Sequence, residues 1–174
     1  AAMEQGRHVA LEVPAALTLE DCWRLVHKAE RTQRHCFLLE NCCYDPFHLE
    51  MLARVEAGDF GELKHAEGAY IHNLQGQDPT ELPRDHQLYH WMGERYPFAG
   101  GNAYPTHGLG PMAKLLGIYR GDRFTSLYAC ASTPGLPLTQ RHSSILLQTE
   151  RGRTALLQLD LHSPRPYSRL PSLV

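Results

Sequence analysis

Gly6-Arg7-His8-Val9-Ala10-Leu11-Glu12-Val13-Pro14, taken together with Cys36-Phe37-Leu38-Leu39-Glu40, decides the first part of the fold. Each is a short apolar run that leads into a carboxylate, and the first is stopped by a proline, which cannot donate to a strand ladder. Between them Thr18 offers a hydroxyl cap, with Asp21 three residues on as its partner. Leu19, Cys22, Trp23, Leu25, Val26 and Ala29 then mark one face, so residues 18–34 are predicted to form an amphipathic helix. Strand, helix, strand at this spacing is one βαβ unit of a parallel sheet. Ligands of such sheets bind beyond the carboxyl ends of the strands, which draws attention to Glu12, Pro14 and Asn41.

Outward from this unit the pattern changes. Asp45-Pro46 is a cap followed by proline at the first helical position, and Gly58 is a stop, which brackets a second helix. Residues 63–72 read as a strand, with Leu63, His65, Glu67, Ala69 and Ile71 on one face and Lys64, Ala66, Gly68, Tyr70 and His72 on the other. Residues 73–101 show no period and are rich in Pro, Gly, Asp and His, as functional loops are, and their aromatics argue against disorder. A helix over 106–118 and strands over 123–132, 143–150 and 154–161 follow, the last two joined by the tight Arg151-Gly152-Arg153 turn of a hairpin. The last dozen residues, with their prolines, look like a strand exit cut short. The predicted fold class is therefore α/β plus α+β: a Rossmann-type remnant over residues 1–40, then residues 41–174 built on a mainly antiparallel sheet flanked by helices.

Bulk numbers narrow the function classes. Hydrophobic residues make up 43% and charged residues 21% of the 174, ordinary for a folded protein, and the net charge of −2 argues against nucleic acid or an anionic membrane surface as the main partner. No apolar run approaches the roughly 20 residues that a membrane span needs. The cellular compartment is not readable. The five cysteines contain no Cys-x-x-Cys, and Cys42 and Cys43 are adjacent, so free, mostly buried thiols are expected rather than bridges or a metal–thiolate site.

Chemistry concentrates in three places. Glu12 is costly to bury unpaired at a strand end, and the plain alternative is a carboxylate held by neighbouring amides. In Asn41-Cys42-Cys43-Tyr44-Asp45, Asn41 and Tyr44 could share a crevice, whereas Cys43 has no implied base and is a weak nucleophile candidate. The third place carries the strongest signal: Gly100-Gly101-Asn102-Ala103-Tyr104-Pro105-Thr106-His107-Gly108-Leu109-Gly110-Pro111. Its four glycines and two prolines fix the backbone without bulk and permit close approach of a ligand. Pro105 places Thr106 and His107 in the first helical turn, where the helix dipole disfavours a cationic imidazole, and Tyr104 and His107 are spaced to share a face. His65 with Glu67, and His86 with His90, lack the further ligands or the glutamate that metal sites of those spacings need, so no metal is expected. Arg165 and Tyr167 are read as rim or domain-interface residues.

These clusters, in order, resemble glycoside hydrolase family 109 of the Gfo/Idh/MocA oxidoreductase superfamily. The likeness is carried by Glu12-Val13-Pro14, Leu39-Glu40-Asn41-Cys42-Cys43-Tyr44-Asp45, Phe60-Gly61-Glu62, His65-Ala66-Glu67-Gly68-Ala69-Tyr70-Ile71-His72, the Asn102–Pro111 segment and Arg165-Pro166-Tyr167-Ser168-Arg169. It implies an NAD-dependent glycosidase acting on α-N-acetylgalactosaminides. Such enzymes oxidise the sugar at C3, remove the proton at C2, eliminate the aglycone, add water and reduce the ketone again, with no net redox. It further implies catalytic roles for His107, Tyr104 and Tyr44, which of them removes the proton being left open. Glu12, Pro14 and Asn41 would lie on the cofactor side, and Tyr44, Tyr104, Asn102 and Trp91 would touch the carbohydrate. Val13 stands where the oxidoreductases carry lysine. Trp91-Met92, with Arg95 close by, replaces the usual Trp-Arg pair.

No glycine-rich dinucleotide fingerprint precedes Glu12, so the chain is expected to be truncated at both ends and, in isolation, to be inactive and to bind NAD poorly. Homo-oligomerisation through the sheet is a further expectation. Two alternatives stay open: a sugar oxidoreductase of the same superfamily with net hydride transfer to NAD(P), and a non-catalytic binding module.

Overall fold

In the computed structural model, which describes residues 1–73, 102, 104–132, 142–169 and 171–174, Thr18 caps the first helix as its sequence predicts. Its hydroxyl oxygen accepts from the Asp21 amide at 3.1 Å and donates to the Asp21 carboxylate at 2.9 Å. Helix α1 (Leu19–Thr32) ends where Gln33 turns left-handed at φ 52 and returns its N–H to the Ala29 and Glu30 carbonyls. Strands β1 (Val9–Leu11) and β2 (Cys36–Leu38) pair in parallel, Val9 opposite Cys36 and Leu11 opposite Leu38. Both are shorter than the apolar runs that announced them. Glu12-Val13-Pro14 and Leu39-Glu40-Asn41 thus leave the ladder at one carboxyl edge. There the exposed Glu12 carboxylate accepts the Val13 amide at 2.8 Å. This βαβ element makes up one unit, Ala1–Asn41, and the remainder, Cys42–Val174, makes up another.

The second unit begins with α2 (Pro46–Ala57), closed by Gly58 at φ 83 with its N–H on the Arg54 and Val55 carbonyls. Asp45 occupies the cap position, yet its carboxylate makes no cap bond. It is taken instead by a tertiary ion pair with Arg169 at 3.5 Å. Next come β3 (His65–Ile71), α3 (Thr106–Leu115), β4 (Phe124–Ala131), β5 (Ser143–Thr149), β6 (Thr154–Asp160) and β7 (Ser172–Leu173). The sheet order is β4-β5-β6-β3-β7. Three pairings are antiparallel, including the predicted β5–β6 hairpin, and β3 runs parallel to β6. The chain past residue 161 does not simply leave the sheet: β7 pairs with Ala66 and Glu67 on the free edge of β3. Of the cysteines, Cys42 and Cys43 are buried, but Cys22 and Cys130 are exposed and Cys36 is half-buried, which corrects the expectation of mostly buried thiols; none of the five forms a disulfide.

Helix α3 is shorter than predicted, because directly after its C-cap Leu116 the chain turns left-handed at Gly117, φ 67. It packs Met112 and Leu116 onto Ala66, Leu147, Ala155 and Leu157 of the sheet, and this is the core of the unit. The approach is closest where two glycines meet. A Cβ on Gly68 would stand 2.5 Å from the Gly108 carbonyl oxygen, and one on Gly108 would stand 2.8 Å from the Ala69 nitrogen. Glycine at both positions lets the helix backbone touch the strand backbone, and this seam sets the height of the first turn of α3 over β3.

At the opposite end, buried Asp122 ties two turns together by accepting the Arg123 amide at 2.9 Å and the Arg151 amide at 3.2 Å. Burial alone would raise its pKa, but the Thr149 hydroxyl, those two amides and the Arg153 guanidinium outweigh burial and hold it below the ordinary aspartate value. A carboxyl whose folded value is depressed contributes stability above its unfolded value and loses that contribution as pH falls through the folded one. Urea melts at stepped pH should therefore show the midpoint dropping below about pH 4. Asp122→Asn should flatten that drop, and an unchanged acid limb would refute the assignment.

Candidate active site

Alternation along β3 puts Gly68, Tyr70 and His72 on one face, the face on which α3 sits. With Gly68 against Gly108, Tyr70 lies under the first turn of the helix. Its ring centroid is 4.9 Å from that of His107, nearly perpendicular at 85°. Tyr104, buried at the head of α3, stands edge-on to His107 at 4.7 Å and 84°, and 5.7 Å from Tyr70. The turn leading into the helix is fixed by the Asn102 carboxamide oxygen, which accepts the Tyr104 amide at 3.0 Å. The Asn102 Nδ2 and Thr106 Oγ1 atoms are buried beside it without a hydrogen-bond partner among the described residues.

The chain past β6 completes the cluster. Tyr167 lies 5.0 Å from His72 at 85° and 6.4 Å from Tyr70. It is followed by Arg169, whose guanidinium sits 5.5 Å from the centroid of the Tyr167 ring. Arg169 donates to Cys42 Sγ at 2.8 Å in addition to pairing with Asp45. The Tyr70 hydroxyl and His72 Nδ1 are 3.0 Å apart. Burial, reinforced by Tyr167 and Cys42 and opposed by Arg169, pushes the Tyr70 phenol up to about 12. The result is an aromatic patch with two imidazoles, three phenols and one anchored guanidinium at its margin. Such a set can take and give protons and hydrogen-bond the hydroxyls of a ligand.

The structure brings Tyr104, His107 and Asn102 together, as the sequence predicts. Tyr44 stands apart from them: it is largely exposed, with the Lys114 ammonium 4.4 Å from its ring centroid. Lys114 is seven residues beyond His107, on the same face of α3 and about 10 Å farther along the axis. Trp91, Arg95, His86 and His90 lie outside the described residues. Glu12, Pro14 and Asn41 belong to the first unit. His65 pairs with Thr154 Oγ1 at 2.7 Å and lies 3.7 Å from Glu67, at the other end of β3 from the cluster. Arg165 is a tether, 3.4 Å from the buried Asp160 carboxylate. Sequence reasoning gave no site role to Tyr70, His72 or Arg169 and read Tyr167 as a rim or domain-interface residue. Two signals were available: the alternation that put Tyr70 and His72 on the face of Gly68, and the place of all four residues in the motif segments 65–72 and 165–169.

Comparison with known sequences decides the kinship. The profile of the glycosyl hydrolase 109 C-terminal domain matches residues 44–140, more than half of the chain. The chain belongs to glycosyl hydrolase family 109. This family 109 chain is 43% identical to an alpha-N-acetylgalactosaminidase of Bacteroides fragilis, over 97% of its own length and 44% of that protein. It is 46% identical to glycosyl hydrolase family 109 protein 2 of Phocaeicola vulgatus, over 97% of itself and 45% of the relative. It thus spans about half the length of the curated relatives it matches. Among solved structures it resembles an inositol dehydrogenase homolog complexed with NAD+ from Azotobacter vinelandii (TM-score 0.71, 16% identity, 99% of this chain and 44% of that one). It also resembles an NAD binding oxidoreductase from Klebsiella pneumoniae (TM-score 0.73, 16% identity, 99% and 46%). At that identity the likeness establishes the fold alone: the family 109 chain shares the fold of these two structures over nearly its whole length.

Proposed function

We propose that the protein is an NAD-dependent glycosidase that cleaves α-N-acetylgalactosaminides, with the carbohydrate bound over the Tyr104–His107 pair. The observation that carries this is the edge-to-face packing of Tyr104 and His107 at the head of α3, held in place by the glycine seam. The kinship supplies the reaction class.

The first unit fits the nicotinamide side of NAD. Its parallel strands release Glu12, Pro14 and Asn41 at a common carboxyl edge, where sheets of this type meet a dinucleotide. Val13, in place of the oxidoreductase lysine, leaves no ammonium there to act as acid or base. The chemistry NAD supplies when bound is reversible hydride transfer at C3 of the sugar. The remaining work falls to side chains of the second unit. On this reading His107 takes the C2 proton once C3 is at the ketone level, and the buried Tyr104 phenol donates to the oxygen on which charge develops. Departure of the aglycone from C1 and addition of water follow without a second carboxylate, unlike the usual two-carboxylate route. Tyr44, beside Lys114 of α3, would contact the sugar rather than the transferred proton. Self-association would use the exposed strand residues Leu127, Tyr128 and Leu146.

The test is release of p-nitrophenol from an aryl α-N-acetylgalactosaminide by the full-length protein, without added NAD+. Release with no accumulation of NADH is expected. Steady NADH formation from free sugars, without glycoside cleavage, would overturn the proposal in favour of a net oxidoreductase.

A further inference from the structure

Tyr44 is placed by its backbone. Its ring is largely exposed and meets the Lys114 ammonium at 4.4 Å, and cation–ring contacts at exposed sites are weak. Its direction is therefore set by the single 3₁₀ turn that ends at Tyr44 and leads into α2.

One side chain grips that turn on both sides of Tyr44. Arg169 donates from one terminal nitrogen to the buried Cys42 Sγ at 2.8 Å, and its other terminal nitrogen lies 3.5 Å from Asp45 Oδ2. Arg169 follows Ser168, whose amide and carbonyl both bond to Ile71 of β3 at 2.9 Å. A path of bonds thus runs from β3 through Ser168 and Arg169 to the residues flanking Tyr44. A planar guanidinium with donors in fixed directions suits such a joint, whereas the ammonium of lysine is a compact point charge.

We propose that Arg169 is a positioning residue: its guanidinium holds the Cys42–Asp45 turn, and with it Tyr44, in fixed relation to β3 and the aromatic cluster upon it. The role rests on the reading above that Tyr44 contacts the carbohydrate.

Two observations set this apart from a tie that serves stability alone. The Arg169 and Asp45 side chains are 27% and 36% exposed, and ion pairs open to water add little to global stability. Asp45 also forgoes the cap bond that its place at the head of α2 invites, and such a bond stabilises a helix. The carboxylate gives up local support and instead links its turn to a chain segment more than a hundred residues away, the separation of Cys42 and Arg169 being 127.

Arg169→Lys in the full-length protein keeps the charge and breaks the double grip. Hydrogen exchange followed by NMR should show the Asp45 and Leu49 amides exchanging about tenfold faster, as local opening of that turn requires, with the amides of β3 and α3 unchanged. With the aryl glycoside, KM should rise about tenfold and kcat stay within about twofold of the parent, since a loosened sugar contact weakens binding and leaves proton transfer alone. Asp45→Asn removes the ion pair from the other side and should raise KM as well. The double variant should be no worse than Arg169→Lys, because the two changes remove one shared interaction. Should Arg169→Lys not fold, Asp45→Asn carries the same exchange and KM measurements. Exchange that quickens equally throughout the core, or nowhere, overturns the proposal. A quickened turn with KM intact, or with kcat lost instead, overturns the positioning role. A parent protein that cleaves no aryl glycoside would sink the glycosidase reading, while exchange would still decide whether Arg169 holds the turn.

Discussion

His107→Ala in the full-length protein is expected to lower kcat on an aryl α-N-acetylgalactosaminide by about a thousandfold, within the range that a positioned acid–base group contributes. KM should change little, because the imidazole acts on a proton rather than as a main binding contact. The fold should survive, since His107 is only half-buried and its two described ring contacts are each worth on the order of 1 kcal/mol. Melting temperature and circular dichroism measured beside the kinetics guard against a trivial loss by unfolding. A variant that is folded and retains parental kcat would remove His107 from the mechanism and leave Tyr104 as the remaining candidate base.

The largest structural effect should come from Gly68→Ala. The added methyl would press on the Gly108 carbonyl at 2.5 Å, and that atom is backbone, unable to swing aside as a side-chain tip can. Helix or strand must move. Overpacking of this kind typically costs about 1–3 kcal/mol, and at the upper end the melting temperature should fall by about 10 °C. Activity should fall further than stability explains, because lifting α3 off β3 carries Tyr104 and His107 away from Tyr70. Differential scanning calorimetry and kcat at a temperature where the variant is folded would check both halves. A melting temperature unchanged in Gly68→Ala would mean that the seam is not the constraint described.

What could be read in the sequence was local. Thr18 with Asp21, the strand pair around α1, Asp45-Pro46 to Gly58, and the Arg151-Gly152-Arg153 hairpin each announce themselves within a few residues, and each forms. The parallel β3–β6 pair and the return of β7 onto β3 join segments far apart in the chain, for which no local signal exists. The candidate site divides in the same way. Asn102, Tyr104 and His107 sit in one glycine- and proline-marked stretch and were found. Tyr70, His72 and Arg169 come from a strand and from the chain beyond β6, and only tertiary packing unites them with that stretch. Asp45 shows the limit from the other side: it holds the right position for a cap, but Arg169 claims its carboxylate.

The parallel pairing of β3 with β6 also bears on how the protein comes to be. His65 bonds to Thr154, 89 positions later in the chain. A ribosome therefore releases β3 long before the strand that must lie beside it, and pairings of such separation form slowly. Until β6 arrives, β3 offers an open edge on which another chain could add. Tyr167 and Arg169 emerge later still. The aromatic cluster is thus complete only when the chain beyond β6 has folded back beside β3.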